Sequence, residues 1–440
     1  MPVPPPYSFS FRSAARRSSL RPMSAPCLLR RFALSLLLAG APLFASEPAA
    51  PLTLPEVFAA IRDHHPGLAA ARASTEASRA RVDIEKAWMD PRLGFDVKRD
   101  NTRLANYSEL EATVSQELPL SGRAKLRGQA ATAESAVVSA QARQREWMLL
   151  NQARLAFTRL AATDERLALN SRLHDNLIQS RTLARQAYET GQRTQMELLT
   201  LETDLIKTDG ERTELASQRI QEATALNALM LRPVETGIAP LALPAPVLPA
   251  MSLSDAVARA RVMSPEITVA LRELDAAHAK LAVVRKNRSI DPEVSFTARQ
   301  LNNSSQALSS YDTGISFSVP WANPGRTRAE LLEARSRITA ARAAADASEA
   351  QTAGMVAAAH TRATASFTKV KRYQEELLPL SRASADAARR DYETGRAALP
   401  SVLNAQRMTL ETELQFSTAR AEQALATAEL CFLTSQDVQP

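Results

Sequence analysis

Aromatic side chains are scarce in this chain, at 5% of 440 residues, and glycine occurs only 12 times. Compact globular domains draw on both for cores and tight turns, so this composition argues against an ordinary multidomain protein. Ala, Leu, Arg, Glu, Gln and Ser fill the long stretches instead, which is the composition of extended helices. Cysteine is nearly absent. Cys27 and Cys431 are the two that occur, and with Cys27 in a segment expected to be removed, no intramolecular disulfide can form. No segment beyond the N-terminal region approaches 18 consecutive apolar residues, so a membrane helix is excluded and any crossing has to be made by strands.

The first 45 residues contain no acidic side chain but six arginines, at positions 12, 16, 17, 21, 30 and 31. Arg30 and Arg31 precede the apolar run Phe32 to Leu38 and the small-residue stretch to Ala45, the order of an export signal cleaved after Ala45. A start at Met23 would give that signal an ordinary length, with residues 1–22 then a mis-called start; a start at Met1 is the alternative. Removing residues 1–45 takes the formal charge from +7 to about +1. The basic character belongs to the leader, and nucleic-acid binding loses its support. Cys27 lies before the apolar run rather than after it, so no lipid anchor is expected.

Catalytic and metal-binding patterns are missing as well. The five histidines (64, 65, 174, 278, 360) form no HExxH and pair with no cysteine at ligand spacing. There is no phosphate-binding glycine loop and no nucleophile elbow. His64-His65 before Pro66 reads as a helix end, the ten methionines are scattered, and the acids fall among arginines at helical spacing, as on solvated helix faces. Neither an enzyme nor a resident cofactor is expected.

What the chain does contain is itself, twice. Tyr188-Glu189-Thr190-Gly191 recurs letter for letter as Tyr392-Glu393-Thr394-Gly395, 204 residues later. Asp90-Pro91 returns as Asp291-Pro292, Pro119 as Pro320, Gly122-Arg123 as Gly325-Arg326, and His65-Pro66 is answered by Ser264-Pro265. The halves, 46–239 and 251–435, meet at a connector, 240–250, with prolines at 240, 244, 246 and 249; residues 436–440 form a tail.

Each half has one internal order. A helix (Leu54 to about Trp88; Leu253 to about Arg288) is interrupted early by Pro66 or Pro265. A hairpin follows, with Leu93, Phe95 and Val97 alternating with polar residues, then Leu110, Ala112 and Val114 on the return. The second hairpin repeats this with Val294, Phe296 and Ala298, then Ile315, Phe317 and Val319. Turns are expected at 100–106 and 301–310. Four such strands with period 2 carry the signature of a membrane barrel, although a soluble hairpin shares it. Then comes a helix with almost no breaker, Arg123 to Glu189 and Arg326 to Glu393, the latter interrupted only by Gly354 and Pro379. A helix of 67 residues is about 100 Å long. Gly191 or Gly395 stops it in a left-handed conformation, and a second helix returns through Leu231 or Thr434. Leu155, Leu160, Leu167, Leu177 and Leu183 are expected inside, with Ala allowing close coiled-coil packing. Four strands cannot close a barrel, and lipid tolerates no open strand edge, so copies must share one; eight, twelve or sixteen strands all satisfy the physics.

In this order of elements, in Ser115-Gln116-Glu117-Leu118-Pro119-Leu120-Ser121-Gly122-Arg123, in the two Tyr-Glu-Thr-Gly turns and in Leu226-Asn227-Ala228-Leu229-Met230, the chain resembles the TolC-like outer-membrane efflux proteins from Leu54 to Thr434. Around Leu377-Leu378-Pro379 and Leu403-Asn404-Ala405-Gln406-Arg407 it is most similar to the heavy-metal, CusC- and CzcC-like branch, whose frequent lipidation has no counterpart here. The resemblance implies a mainly α protein with a membrane β-barrel part. It also implies a homotrimer of twelve strands in outer-membrane lipid of a Gram-negative bacterium, with helices reaching into the periplasm. A periplasmic adaptor (membrane fusion protein) and an inner-membrane RND-type pump would be its partners, and it would be a passive exit duct for metal ions or small toxic compounds. A channel of type I protein secretion and a periplasmic coiled-coil adaptor are the alternatives. The turn and adaptor-docking region would comprise Tyr188, Gly191, Arg193, Tyr392, Gly395 and Arg396. Relatives place acids just past the second-repeat glycine, where the tunnel narrows; the matching residues here are Ser401 and Asn404, with Glu197 at the first-repeat counterpart.

Overall fold

The computed structural model describes residues 52–98, 109–191, 194–301, 310–319 and 322–435. The expected export signal (1–45), most of both expected hairpin turns, Arg193 and the 436–440 tail lie outside the described residues.

The first repeat opens with α1 (Leu54–His64), whose start is a capping box: the Thr53 side chain faces the Glu56 N–H while the Glu56 carboxylate accepts from the Thr53 N–H at 3.0 Å. Pro66 forces His65 into an extended conformation and begins α2 (Pro66–Lys86). His65 caps that helix, its Nδ1 accepting from the Gly67 N–H at 3.0 Å. The second repeat has the same break at Ser264 between α5 (Leu253–Met263) and α6 (Pro265–Lys286).

Each short helix leads into a hairpin: β1 (Arg92–Lys98) with β2 (Glu109–Glu117), and β3 (Pro292–Leu301) with β4 (Ser310–Phe317). All four strands form one antiparallel sheet in the order β1-β2-β3-β4, so the two repeats are joined through β2 and β3.

The long helix of the first repeat, α3 (Arg123–Glu189), is unbroken over 67 residues. Its counterpart is not. It runs as α7 (Pro324–Arg372), widens into one π-helical stretch over Tyr373–Leu377, and continues as α8 (Leu378–Glu393). Pro379 has no N–H to give and its ring would strike the carbonyl four residues earlier; the wider turn makes room for it. The return helices are α4 (Gln195–Leu229) and α9 (Leu399–Leu433).

These rods pack through small residues. Ala153, Ala161, Ala184, Ala363 and Ala419 are fully buried, as close helix approach requires. Of the leucines expected inside α3, Leu160 and Leu177 are buried, Leu155 and Leu167 are half-buried, and Leu183 is exposed. The last expectation fails because six residues carry Leu183 about 120° around the helix from Leu177, away from the α4 side. The larger core lies at the level of α1, where Val57, Ile61, Leu150, Leu160 and Leu226 meet Ile238 and, in the extended connector, Leu241 and Leu243. The connector is thus a strap built into the core. The second repeat places Ala256, Ala260, Val356, Ala363 and Leu430 in a corresponding, smaller-residue cluster. No described helix is long and apolar enough to cross a membrane.

Candidate functional site

The strand register sorts the sheet into two unlike faces. Leu93 lies opposite Val114, which lies opposite Phe296; Phe95, Ala112, Ala298 and Tyr311 form the next row, and Val294 faces Ile315. Every one of these side chains is on the same face. Leu93, Phe95, Tyr311 and Ile315 are 68–74% exposed, an apolar surface that no described residue covers and that water disfavours.

The other face is polar and cross-linked. Thr113 and Thr297 share a hydrogen bond at 3.1 Å, and Ser115 donates to Glu293 at 2.6 Å. Towards the 99–108 and 302–309 end the charges interlock. Lys98 lies 3.3 Å from Glu109 and 3.2 Å from Glu111, while Arg299 lies 3.1 Å from Glu109, 3.7 Å from Glu111 and 3.0 Å from Asp312. These five residues were not singled out from sequence. The available signal was that all five fall on the polar parity of their strands, close to the hairpin ends.

At the opposite end of the sheet the strand hands over to the long helix. Gly122 caps α3 with φ +78°, a left-handed conformation that glycine adopts without penalty. The buried Asp291 carboxylate accepts from the Ser121 N–H at 2.7 Å and the Ser121 hydroxyl at 2.9 Å, and pairs with Arg123 at 3.2 Å. The repeat landmarks Asp-Pro and Gly-Arg therefore meet across the repeats.

At the far tips of the rods both expected glycine stops are present, Gly191 at φ +73° and Gly395 at φ +72°. In the second turn the Gly395 N–H donates to Tyr392 O at 3.0 Å and the Arg396 N–H to Asp391 O at 2.8 Å, the paired bonds of a Schellman motif. Tyr188, Tyr392 and Arg396 are exposed. Glu197, in the first turn of α4, is half-buried; Ser401 and Asn404 share the exposed face of α9, with Val402 and Ala405 buried behind them. One helical stretch further on, Arg407 reaches across from α9 to Asp204 of α4 at 2.8 Å. That link between the repeats at their tips was also missed from sequence, since 203 residues separate its partners.

The described residues hold no cluster of three or more His, Cys, Asp or Glu able to bind a metal ion. A concavity of about 590 Å³ lies as an open groove between α3, α6 and α7, crossed by the Lys280–Glu134 pair at 2.6 Å. Cys431 is buried, and burial pushes its thiol pKa up against the opposing effect of Arg154.

The family model described as "Outer membrane efflux protein" matches residues 58–230 and 256–436. Among solved structures, the outer-membrane channel OprN is 20% identical with a TM-score of 0.74, over 88% of this chain and 91% of that one. CusC, in structures concerning its folding and transmembrane channel formation, is 17% identical with a TM-score of 0.72, over 87% and 91%. The open-state outer-membrane channel MtrE of Neisseria gonorrhoeae is 18% identical with a TM-score of 0.72, over 88% and 91%. No curated protein matches significantly in sequence.

Proposed function

The chain belongs to the outer membrane efflux protein family, and from that membership we propose that three copies close one twelve-stranded barrel as the passive exit duct of a tripartite efflux system. As a family member it is an outer-membrane channel with a periplasmic helical tunnel and not an enzyme. The observation that carries the proposal is the open sheet: an apolar face for lipid, a polar face for a water-filled lumen, and two edge strands, β1 and β4, with no partner strand among the described residues. An unpaired strand edge costs several kcal/mol per backbone group in hydrocarbon. Closure with other copies removes that cost entirely.

Residues 1–45 act as the cleaved export signal in this reading, and residues 46–239 and 251–435 are its two repeats. A periplasmic adaptor docks at the rod tips around Tyr188, Gly191, Arg193, Tyr392, Gly395 and Arg396, and an inner-membrane RND-type pump supplies the energy. Metal ions or small toxic compounds are the proposed cargo, on the likeness of residues 377–379 and 403–407 to the heavy-metal branch. Protein export remains the competing cargo; a free-standing periplasmic adaptor is ruled out by the family assignment.

Two measurements test this reading. Protein extracted from the outer membrane and reconstituted in planar bilayers should give discrete conductance steps. Deletion of the chain should raise sensitivity to toxic divalent cations or small toxic compounds, with restoration by the intact gene. Loss of a secreted protein with unchanged sensitivity would move the cargo to protein export, and absence of conductance would remove the channel.

A further inference from the structure

The two repeats make a contact inside one chain that each chain must also make with the next, and the residues of that second contact can be read from the first. β1 and β3 correspond, as do β2 and β4, at a constant offset of 201: Leu93 faces Val114 just as Val294 faces Ile315. The contact between repeats is β2 on β3, with Val114 opposite Phe296 and Glu111 opposite Arg299. Applying the same offset to that pairing places β4 of one copy against β1 of the next. Ile315 then faces Phe95, Ser316 faces Gly94, Phe317 faces Leu93, and Asp312 faces Lys98.

On the lipid side Ile315 meets Phe95 and Phe317 meets Leu93, while Thr313 meets Val97. On the lumen side the one directly opposed charged pair, Asp312 and Lys98, has opposite signs. At the other end of the strands the internal contact of Asp291 with Arg123 transposes to Asp90 of the neighbouring copy and Arg326, both exposed within one chain.

We infer that β4 pairs with β1 of a second copy of this chain in the register Asp312 to Lys98, closing an ion-pair belt around the lumen. Within each copy the belt runs from Lys98 through Glu109 and Glu111 to Arg299 and Asp312. The neighbour's Lys98 takes it onward from Asp312. The site is incomplete in one chain, because Asp312 stands on the edge strand and its β1-side partner belongs to the next copy. The helices agree with this. α3 is flanked by both α2 and α6, whereas its counterpart α7 packs on α6 and leaves Leu332 exposed, and α2 leaves Ile84 exposed. The inference rests on the oligomeric-barrel reading and adds its register and its contacts.

Cysteine pairs test it. Directly opposed residues in an antiparallel pair have Cα atoms about 4.5 or 5.5 Å apart, within disulfide reach, whereas diagonal neighbours lie at about 7–8 Å, beyond it. A Cβ added at Gly94 meets only Thr113 Cβ, at 3.9 Å, so cysteine fits there. Within one chain β1 and β4 are three strand spacings apart, about 14 Å, so a bond between them has to join two copies.

The full-length variants G94C/S316C and F95C/I315C, oxidised in outer membranes, should run as covalent dimers and trimers on boiled, non-reducing gels. The wild-type chain, with its native cysteines, and the slipped pair D96C/S316C should run as monomers. Adjacent positions alternate between hydrogen-bonded and non-bonded sites, so the two variants sample both geometries, and either one cross-linking alone supports the register. An unboiled gel separates the possible failures. A native-sized oligomer in which only the slipped pair cross-links overturns the register and leaves the channel standing. A native-sized oligomer in which neither in-register pair cross-links overturns the inferred interface, and absence of any oligomer overturns the interface and the barrel together.

Discussion

Asp164 anchors the connector between the repeats, and removing its charge should release that strap. The carboxylate is almost entirely buried; Oδ1 accepts from Arg219 Nε and Oδ2 from the Leu241 N–H at 2.8 Å. Arg219 in turn donates from Nη2 to Ile238 O at 2.7 Å. In D164N the amide can still accept one bond, but its NH₂ would face a guanidinium or an N–H, donor against donor. Removing one partner of a buried ion pair costs about 3–5 kcal/mol. Arg219 is about a quarter exposed and can reach water, so the loss belongs near the lower end, about 3 kcal/mol. Since each 1.4 kcal/mol is tenfold in an equilibrium constant, local opening of the connector should rise by about two orders of magnitude. Hydrogen–deuterium exchange read over residues 234–250 should therefore accelerate about a hundredfold in D164N, while exchange in the middle of α7 stays unchanged. Equal protection of that peptide in both proteins would refute the claim that Asp164 holds the strap.

At the rod tips, G191V and G395V place a β-branched residue at φ above +70°, at a cost of about 1–2 kcal/mol or more per copy. Both variants should lower the oligomer's dissociation temperature or weaken adaptor docking, and wild-type efflux by both would show that these turns tolerate any residue. Charging the exposed α9 face with S401D/N404D adds six negative charges to a trimer, and in a narrow constriction these should raise cation selectivity in planar bilayers. Unchanged selectivity in an assembled trimer would remove those residues from the constriction and leave Glu197 as the alternative. Cys431, buried and with its thiol pKa raised, should resist a maleimide at neutral pH until the protein is unfolded; labelling at the rate of a free thiol would contradict that burial.

The features legible in the sequence were those written in residues with few conformational options. Pro66 and Pro265 broke their helices, Gly191 and Gly395 took left-handed φ values, and strict alternation in the strands fixed which residues share a face. Alanine-rich rods gave less, because a residue that fits both a core and a surface carries no directional signal; Leu183 was expected inside and lies outside. The break at Pro379 was visible, but its accommodation by a π-helical stretch depends on the neighbouring rods. The charged belt was hidden for a different reason. Lys98, Glu109, Arg299 and Asp312 are scattered over more than 200 residues, and the sheet pairing alone brings them together. The tip residues were legible as turn chemistry, which locates Tyr188 and Tyr392 without saying what touches them.

The central claim is that this chain cannot complete its barrel alone. Separation of inner and outer membranes, followed by electrophoresis of boiled and unboiled samples, tests it most directly. The chain should appear in the outer-membrane fraction and run unboiled at three times its boiled mass, because three four-stranded sheets close one barrel. A monomer released into the soluble fraction by gentle lysis would contradict the account.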